Sequence, residues 1–79
     1  MATRKIIVFT QPDSLPCEAI KLFLRDRKAK FEERNVEDGE EVVRELQDKY
    51  NSRSTPTVVI DDQIVIGFDP ERIDELLEQ

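Results

Sequence analysis

The sequence predicts an α/β fold in which one mixed four-stranded sheet is flanked by three helices, in the order β-α-β-α-β-β-α. Three observations carry this expectation. Ile6-Ile7-Val8-Phe9 is a continuous apolar, largely β-branched run; three stretches repeat their apolar residues at helical spacing; and two β-rich runs fold about Asp61-Asp62. With 79 residues the chain reads as one domain over positions 1–79, small enough that its core must be economical.

Taken in order, Ile6–Phe9 has the pattern of a strand buried on both faces, and Pro12 soon ends it. That strand is expected near the sheet centre. From Leu15 to about Lys28, the residues Cys17, Ile20, Phe23 and Leu24, with the neighbouring Leu22, recur at helical spacing. Lys21, Arg25, Arg27 and Lys28 fall outside this stripe and read as solvated charges. Pro16 suits the first helical turn, where its missing N–H leaves no bond unmade. Lys30 to Val36 reads as a short second strand with only Phe31 and Val36 apolar, a charged composition that fits an edge.

Asp38-Gly39 opens the second helix, in which Val42, Val43, Leu46 and Tyr50 form one stripe and the acidic residues gather where the helix dipole favours them. Asn51-Ser52-Arg53-Ser54 is a polar breaker. Thr57–Ile60 and Gln63–Ile66 form a hairpin, although Asp-Asp is a poorer turn signal than Asp-Gly. Gly67 breaks the second of these strands. After Asp69-Pro70, the residues Ile73, Leu76 and Leu77 make a last amphipathic helix. A helix joins the first two strands, so they should be parallel; the closing hairpin must be antiparallel.

Composition excludes several functions. The 12 basic and 18 acidic side chains leave a net charge of −6, which repels phosphate backbones and anionic membrane surfaces. No nucleic-acid partner is expected. No apolar run approaches membrane-spanning length, and Met1-Ala2-Thr3-Arg4-Lys5 lacks the pattern of a secretory signal. A single cysteine closes no internal disulfide, so a cytoplasmic location is expected. With no histidine and one thiol, the chain lacks the usual general base and the commonest metal ligands. Neither metal nor Ser–His chemistry is expected.

The residues left to carry chemistry lie in Thr10-Gln11-Pro12-Asp13-Ser14-Leu15-Pro16-Cys17, a strand-to-helix turn with a serine three residues before the only cysteine. Each has an ordinary structural reading. Ser14 is a natural helix N-cap accepting the Cys17 N–H, an interaction of about 1 kcal/mol. Cys17, on the inner helical face with Ile20 and Leu24, reads as a small buried hydrophobe. Pro56 is compatible with an edge strand, and Phe68 with packing against the last helix.

Together the motifs say more. Thr10-x-Pro12-x-Ser14-x-x-Cys17-x-x-x-Lys21, Thr55-Pro56-Thr57 and Ile66-Gly67-Phe68-Asp69 resemble, in register and over nearly the whole chain, three landmarks of the glutaredoxin group of the thioredoxin fold. These are the active-site segment, here with Ser14 at the first cysteine, the segment carrying the cis-proline, and the glycine after the last strand. The resemblance implies a thiol–disulfide oxidoreductase. In such a family the first cysteine sits at a helix N-terminus, where the dipole stabilises its thiolate, and attacks a substrate disulfide. The second cysteine then displaces the mixed disulfide.

Carried over, Ser14 occupies the attacking position and Cys17 the resolving one. A serine hydroxyl is un-ionised at neutral pH and forms no disulfide, so the chain is expected to be inactive in the dithiol cycle. The resemblance also implies a substrate-binding set of Gln11, Thr55, Pro56, Gly67 and Phe68, with the backbone before Pro56 pairing with an extended substrate segment. Gln11 stands where many glutathione-using members carry lysine, and Gly67-Phe68 replaces a Gly-Gly pair. This argues against glutathione dependence; no bound cofactor is expected.

The expected partners are a disulfide-containing protein substrate and thioredoxin reductase, as for the glutaredoxin-like electron donors to ribonucleotide reductase, with the chain itself a monomer. One alternative is a non-catalytic peptide- or protein-binding module that keeps the groove and exposes Phe68. Another uses Cys17 alone, as a monothiol or in a disulfide-linked dimer. An iron–sulfur role is least expected, because in related monothiol proteins the ligand is the missing first cysteine.

Overall fold

A computed structural model describes residues 5–78. Strand β1 (Ile6–Thr10) leads into helix α1 (Leu15–Asp26) and strand β2 (Glu32–Asn35). A single 3₁₀ turn (Val36–Asp38) precedes helix α2 (Glu40–Arg44), which continues as a π-helix over Glu45–Lys49. Strands β3 (Thr57–Ile60) and β4 (Gln63–Ile66) and helix α3 (Pro70–Leu77) complete the chain.

The sheet order is β2-β1-β3-β4. As expected, β1 lies in the interior, β1 and β2 are parallel, and β3 and β4 form an antiparallel hairpin. The β1–β3 pair is also antiparallel. All five residues of β1 are buried because helices cover both faces of the sheet. Alternation along the strand divides its side chains between two cores. Ile6 and Val8 join Val58, Ile60 and Val65 beneath Ile20 and Leu24 of α1 and Ile73 and Leu76 of α3. Ile7 and Phe9 join Val59 beneath Leu46, with Val42 and Tyr50 packed against them.

Several elements differ from the sequence expectation in length or exposure. β2 begins at Glu32 and ends at Asn35, because Val36 enters the 3₁₀ turn capped by the Asn35 side chain, which accepts the Glu37 N–H at 2.8 Å. α1 ends at Asp26, and Leu22 lies on its outer side with 60% of its surface exposed. The second helix does not run as one α-helix, since its last turn widens to π geometry. Ser52, within the segment read as a polar breaker, is buried.

Strand register determines which loops meet. Phe9 pairs with Thr57, and Thr57 with Ile66. The connections β1–α1, α2–β3 and β4–α3 therefore emerge at the same end of the sheet. No helix among the described residues is long and apolar enough to cross a membrane.

Candidate functional site

The loop after β1 turns at Asp13, whose φ of +57° lies in the left-handed region that Asp tolerates better than most residues. Ser14 follows in extended conformation as the N-cap of α1, with Pro16 in the first turn. Its Oγ accepts the Cys17 N–H at 3.4 Å, and its carbonyl accepts the Glu18 N–H at 3.1 Å. Cys17 is free and 1% exposed, one helical turn inside the cap. Ser14 is half-buried, so the pair presents a hydroxyl at the surface and a thiol beneath it.

The second loop brings Thr55 and Pro56 to the same end. The peptide bond between them is cis. Thr55 Oγ1 donates to Gln11 Oε1 at 3.0 Å, tying this loop to the one that carries Ser14. The third loop closes on Pro56, whose carbonyl accepts the Gly67 N–H at 2.8 Å. Gly67 has φ of +85°, which favours glycine, and a Cβ there would meet nothing within 4 Å, so the neighbouring space is open. Phe68 stands beside it with 48% of its surface exposed, not packed away. The hydrogen bonds thus link Gln11 to Thr55 and Pro56 to Gly67. They place no bond between Phe68 and the others.

Beneath this end of the sheet is a charged cluster that the sequence reading missed. Thr10, the buried last residue of β1, donates its hydroxyl to Glu33 Oε2 at 2.8 Å, and Lys21 Nζ reaches the same oxygen at 3.2 Å. Lys21 also lies 3.3 Å from Glu18 Oε1. The expectation of a solvated Lys21 is corrected here: its side chain is only 14% exposed because it spans from α1 to β2. Hydrogen bonding from Thr10 holds the Glu33 carboxyl below the usual carboxylate range; burial opposes this and Lys21 adds to it. Burial works to lower the Lys21 pKa, but hydrogen bonds and attraction from Glu33 and Glu18 raise it on balance.

Ser52 and Thr57 are the other side chains the sequence did not single out. Both are buried behind Thr55-Pro56, with their hydroxyl oxygens 2.8 Å apart. A Ser-x-Ser-Thr-Pro-Thr run just before a strand is rich enough in hydroxyls to have suggested a side-chain-bonded loop.

A cavity of about 340 Å³ lies instead by the β3–β4 turn, lined in part by Lys5, Tyr50, Asp61 and Ile64, at the opposite end of the sheet. Among the described residues no group of three or more His, Cys, Asp or Glu side chains is arranged to hold a metal ion.

Comparison with known proteins agrees with this architecture. The glutaredoxin family model matches residues 6–65. The gene 56 protein of Mycobacterium phage D29 is 31% identical over 74 residues, covering 92% of this chain and 82% of that protein. Among solved structures, the thioredoxin-like protein BC3987 superposes with a TM-score of 0.87 at 43% identity, over 91% of this chain and 99% of that one. The glutaredoxin-like protein NrdH-redoxin from Escherichia coli, described as having a thioredoxin-like activity profile, gives 0.82 at 30% identity over 91% and 93%. The family match spans the β1–α1 turn, the Thr55–Pro56 loop and nearly all of the sheet, and on that ground the chain belongs to the glutaredoxin family.

Proposed function

We propose that this protein is a thiol–disulfide oxidoreductase of the glutaredoxin-like type whose dithiol cycle is interrupted at Ser14. One observation carries the reading: Ser14 caps α1 directly above buried Cys17, at the sheet end where Thr55, Pro56 and Gly67 converge. A sulfur at position 14 would lie at a helix N-terminus, where unpaired N–H groups favour a thiolate. A hydroxyl there is a cap and nothing more.

The chemistry follows from that placement. With cysteine at position 14, its thiolate would attack one sulfur of a substrate disulfide and expel the other as thiolate. Cys17, after losing its proton, would attack the position-14 sulfur. This releases the second substrate sulfur and leaves a disulfide between positions 14 and 17, so two electrons have moved to the substrate. A reductase dithiol would restore the pair. In the chain as it stands the first step lacks a nucleophile, and Cys17 lies too deep to replace it.

The substrate-binding set comprises Gln11, Thr55, Pro56, Gly67 and Phe68, and the substrate is a disulfide-bearing extended protein segment. Thioredoxin reductase, rather than glutathione, is the proposed electron source, because Gln11 offers no cation to a glutathione carboxylate and Phe68 occupies the place of a second glycine. The setting proposed is a monomer in the cytoplasm.

Ser14→Cys tests the reading. The variant should reduce a protein disulfide with thioredoxin reductase and NADPH, at least 100-fold faster than the parent chain, and less well with glutathione. If Ser14→Cys reduces nothing with either system, the oxidoreductase reading fails. The second reading, a binding module without redox turnover, then stands on the exposure of Phe68 beside open Gly67.

A further inference from the structure

We infer that Ser52 and Thr57 are positioning residues that set the conformation of the Thr55–Pro56 segment through a closed ring of hydrogen bonds about Ser54. The inference rests on the reading of that segment as the substrate-docking loop, and the ring itself follows from proton bookkeeping. Thr57 Oγ1 has one proton, and its 2.6 Å contact with the Ser54 carbonyl takes it. The 2.8 Å contact between the two hydroxyls must then be donated by Ser52. Ser52 Oγ in turn accepts the Ser54 N–H at 3.3 Å. Its 3.4 Å approach to the Ser54 carbonyl is a weaker use of the same proton.

The circuit therefore runs from the Ser54 N–H to Ser52, to Thr57, and back to the Ser54 carbonyl. Each hydroxyl donates once and accepts once. Both peptide groups of an exposed residue are held by two side chains that are 2% and 0% exposed.

The ring is fixed at both ends. Ser52 donates its own N–H to the Leu46 carbonyl at 3.0 Å, joining it to the π-helical turn whose Leu46 is core. Thr57 pairs with Phe9 and Ile66 in the sheet. The two residues after Ser54 hang from this frame: Thr55, which donates to Gln11, and Pro56, which accepts from Gly67. Two of the five proposed binding residues, Thr55 and Pro56, thus lie between the fixed ends of the ring, and two more, Gln11 and Gly67, are bonded to them. Neither Ser52 nor Thr57 need touch substrate for this.

Three variants separate positioning from mere stability. Ser52→Ala removes the central hydroxyl, Thr57→Val removes the other at nearly constant shape, and Thr57→Ser retains it. In the chain as it stands, NMR should show the Thr55 backbone and Gln11 side-chain amide resonances displaced by Ser52→Ala and Thr57→Val, and returned towards the parent positions in Thr57→Ser. In the Ser14→Cys background, Ser52→Ala should raise KM for a protein disulfide about tenfold, the scale of one lost hydrogen bond, with kcat little changed. Undisplaced Thr55 and Gln11 resonances overturn the inference, as does an unchanged KM in an active Ser14→Cys protein. If Ser14→Cys is itself inactive, the reading of the site falls and the resonances alone decide the ring.

Discussion

At the scale of single residues, Ser14 has a structural role independent of the chemistry it lacks. Three N–H groups at the start of α1, those of Ser14, Leu15 and Cys17, have no partner within the helix, Pro16 having none to offer, and the Ser14 side chain satisfies that of Cys17. Ser14→Ala should therefore lower stability by about 1 kcal/mol, read as a lower denaturation midpoint at unchanged slope. An unaltered midpoint would mean that the 3.4 Å contact contributes nothing. This cap was legible in the sequence because cap and N–H are three positions apart on one helix start. Ser52 was not. Its partners are also close in sequence, yet their convergence depends on a loop conformation that hydrophobic periodicity does not encode. Lys21 was misread for a different reason: its stripe position on α1 is outward, but the partner that draws it in, Glu33, sits on strand β2.

Between elements, the same Lys21–Glu33–Thr10 cluster fastens α1 and the end of β1 to edge strand β2. β2 contributes little apolar surface of its own, its four residues being Glu32, Glu33, Arg34 and Asn35. The pKa shifts set the pH window of this fastening. Glu33 is lowered from 4.5, so its contribution is complete above that value and is lost as pH falls through the depressed folded value. Lys21 is raised from 10.5, so its contribution is complete below that value and is lost as pH rises through the folded one. Between the two the tie is constant. Glu33→Gln should lower stability by about 0.5 kcal/mol on the plateau, small because the Glu33 side chain is 36% exposed and screened by water. The gap between parent and variant should narrow as pH falls below 4.5 and close only below the depressed folded value of Glu33, as read from denaturation curves. A gap that persisted at low pH would assign the loss to geometry and not to charge. The edge position of β2 was legible from its charges, whereas its length was not, because the Asn35 cap rather than apolar pattern ends it.

For the whole molecule, the element order, the parallel β1–β2 pair and the closing hairpin were legible in the sequence, whereas the antiparallel β1–β3 pairing that joins them was not, because no local pattern specifies it. The sequence also left open how the two faces share load. β1 supplies Ile6 and Val8 to one core and Ile7 and Phe9 to the other, so neither layer can lose its packing without exposing part of the same strand. Such a chain should unfold in one cooperative step. Two natural probes report from opposite faces. Tyr50, the only tyrosine in a chain without tryptophan, packs its ring 5.6 Å from that of Phe9 on the α2 face. Cys17 is buried in α1 on the other face. In a urea titration, Tyr50 fluorescence and the reactivity of Cys17 towards a thiol reagent should change with the same midpoint. Without denaturant, labelling of Cys17 should be slow and limited by opening of the fold. Earlier exposure of Cys17 would show that the α1 and α3 layer detaches while Tyr50 stays packed. It would also revive the role of Cys17 as an accessible monothiol, which its burial in the native fold argues against.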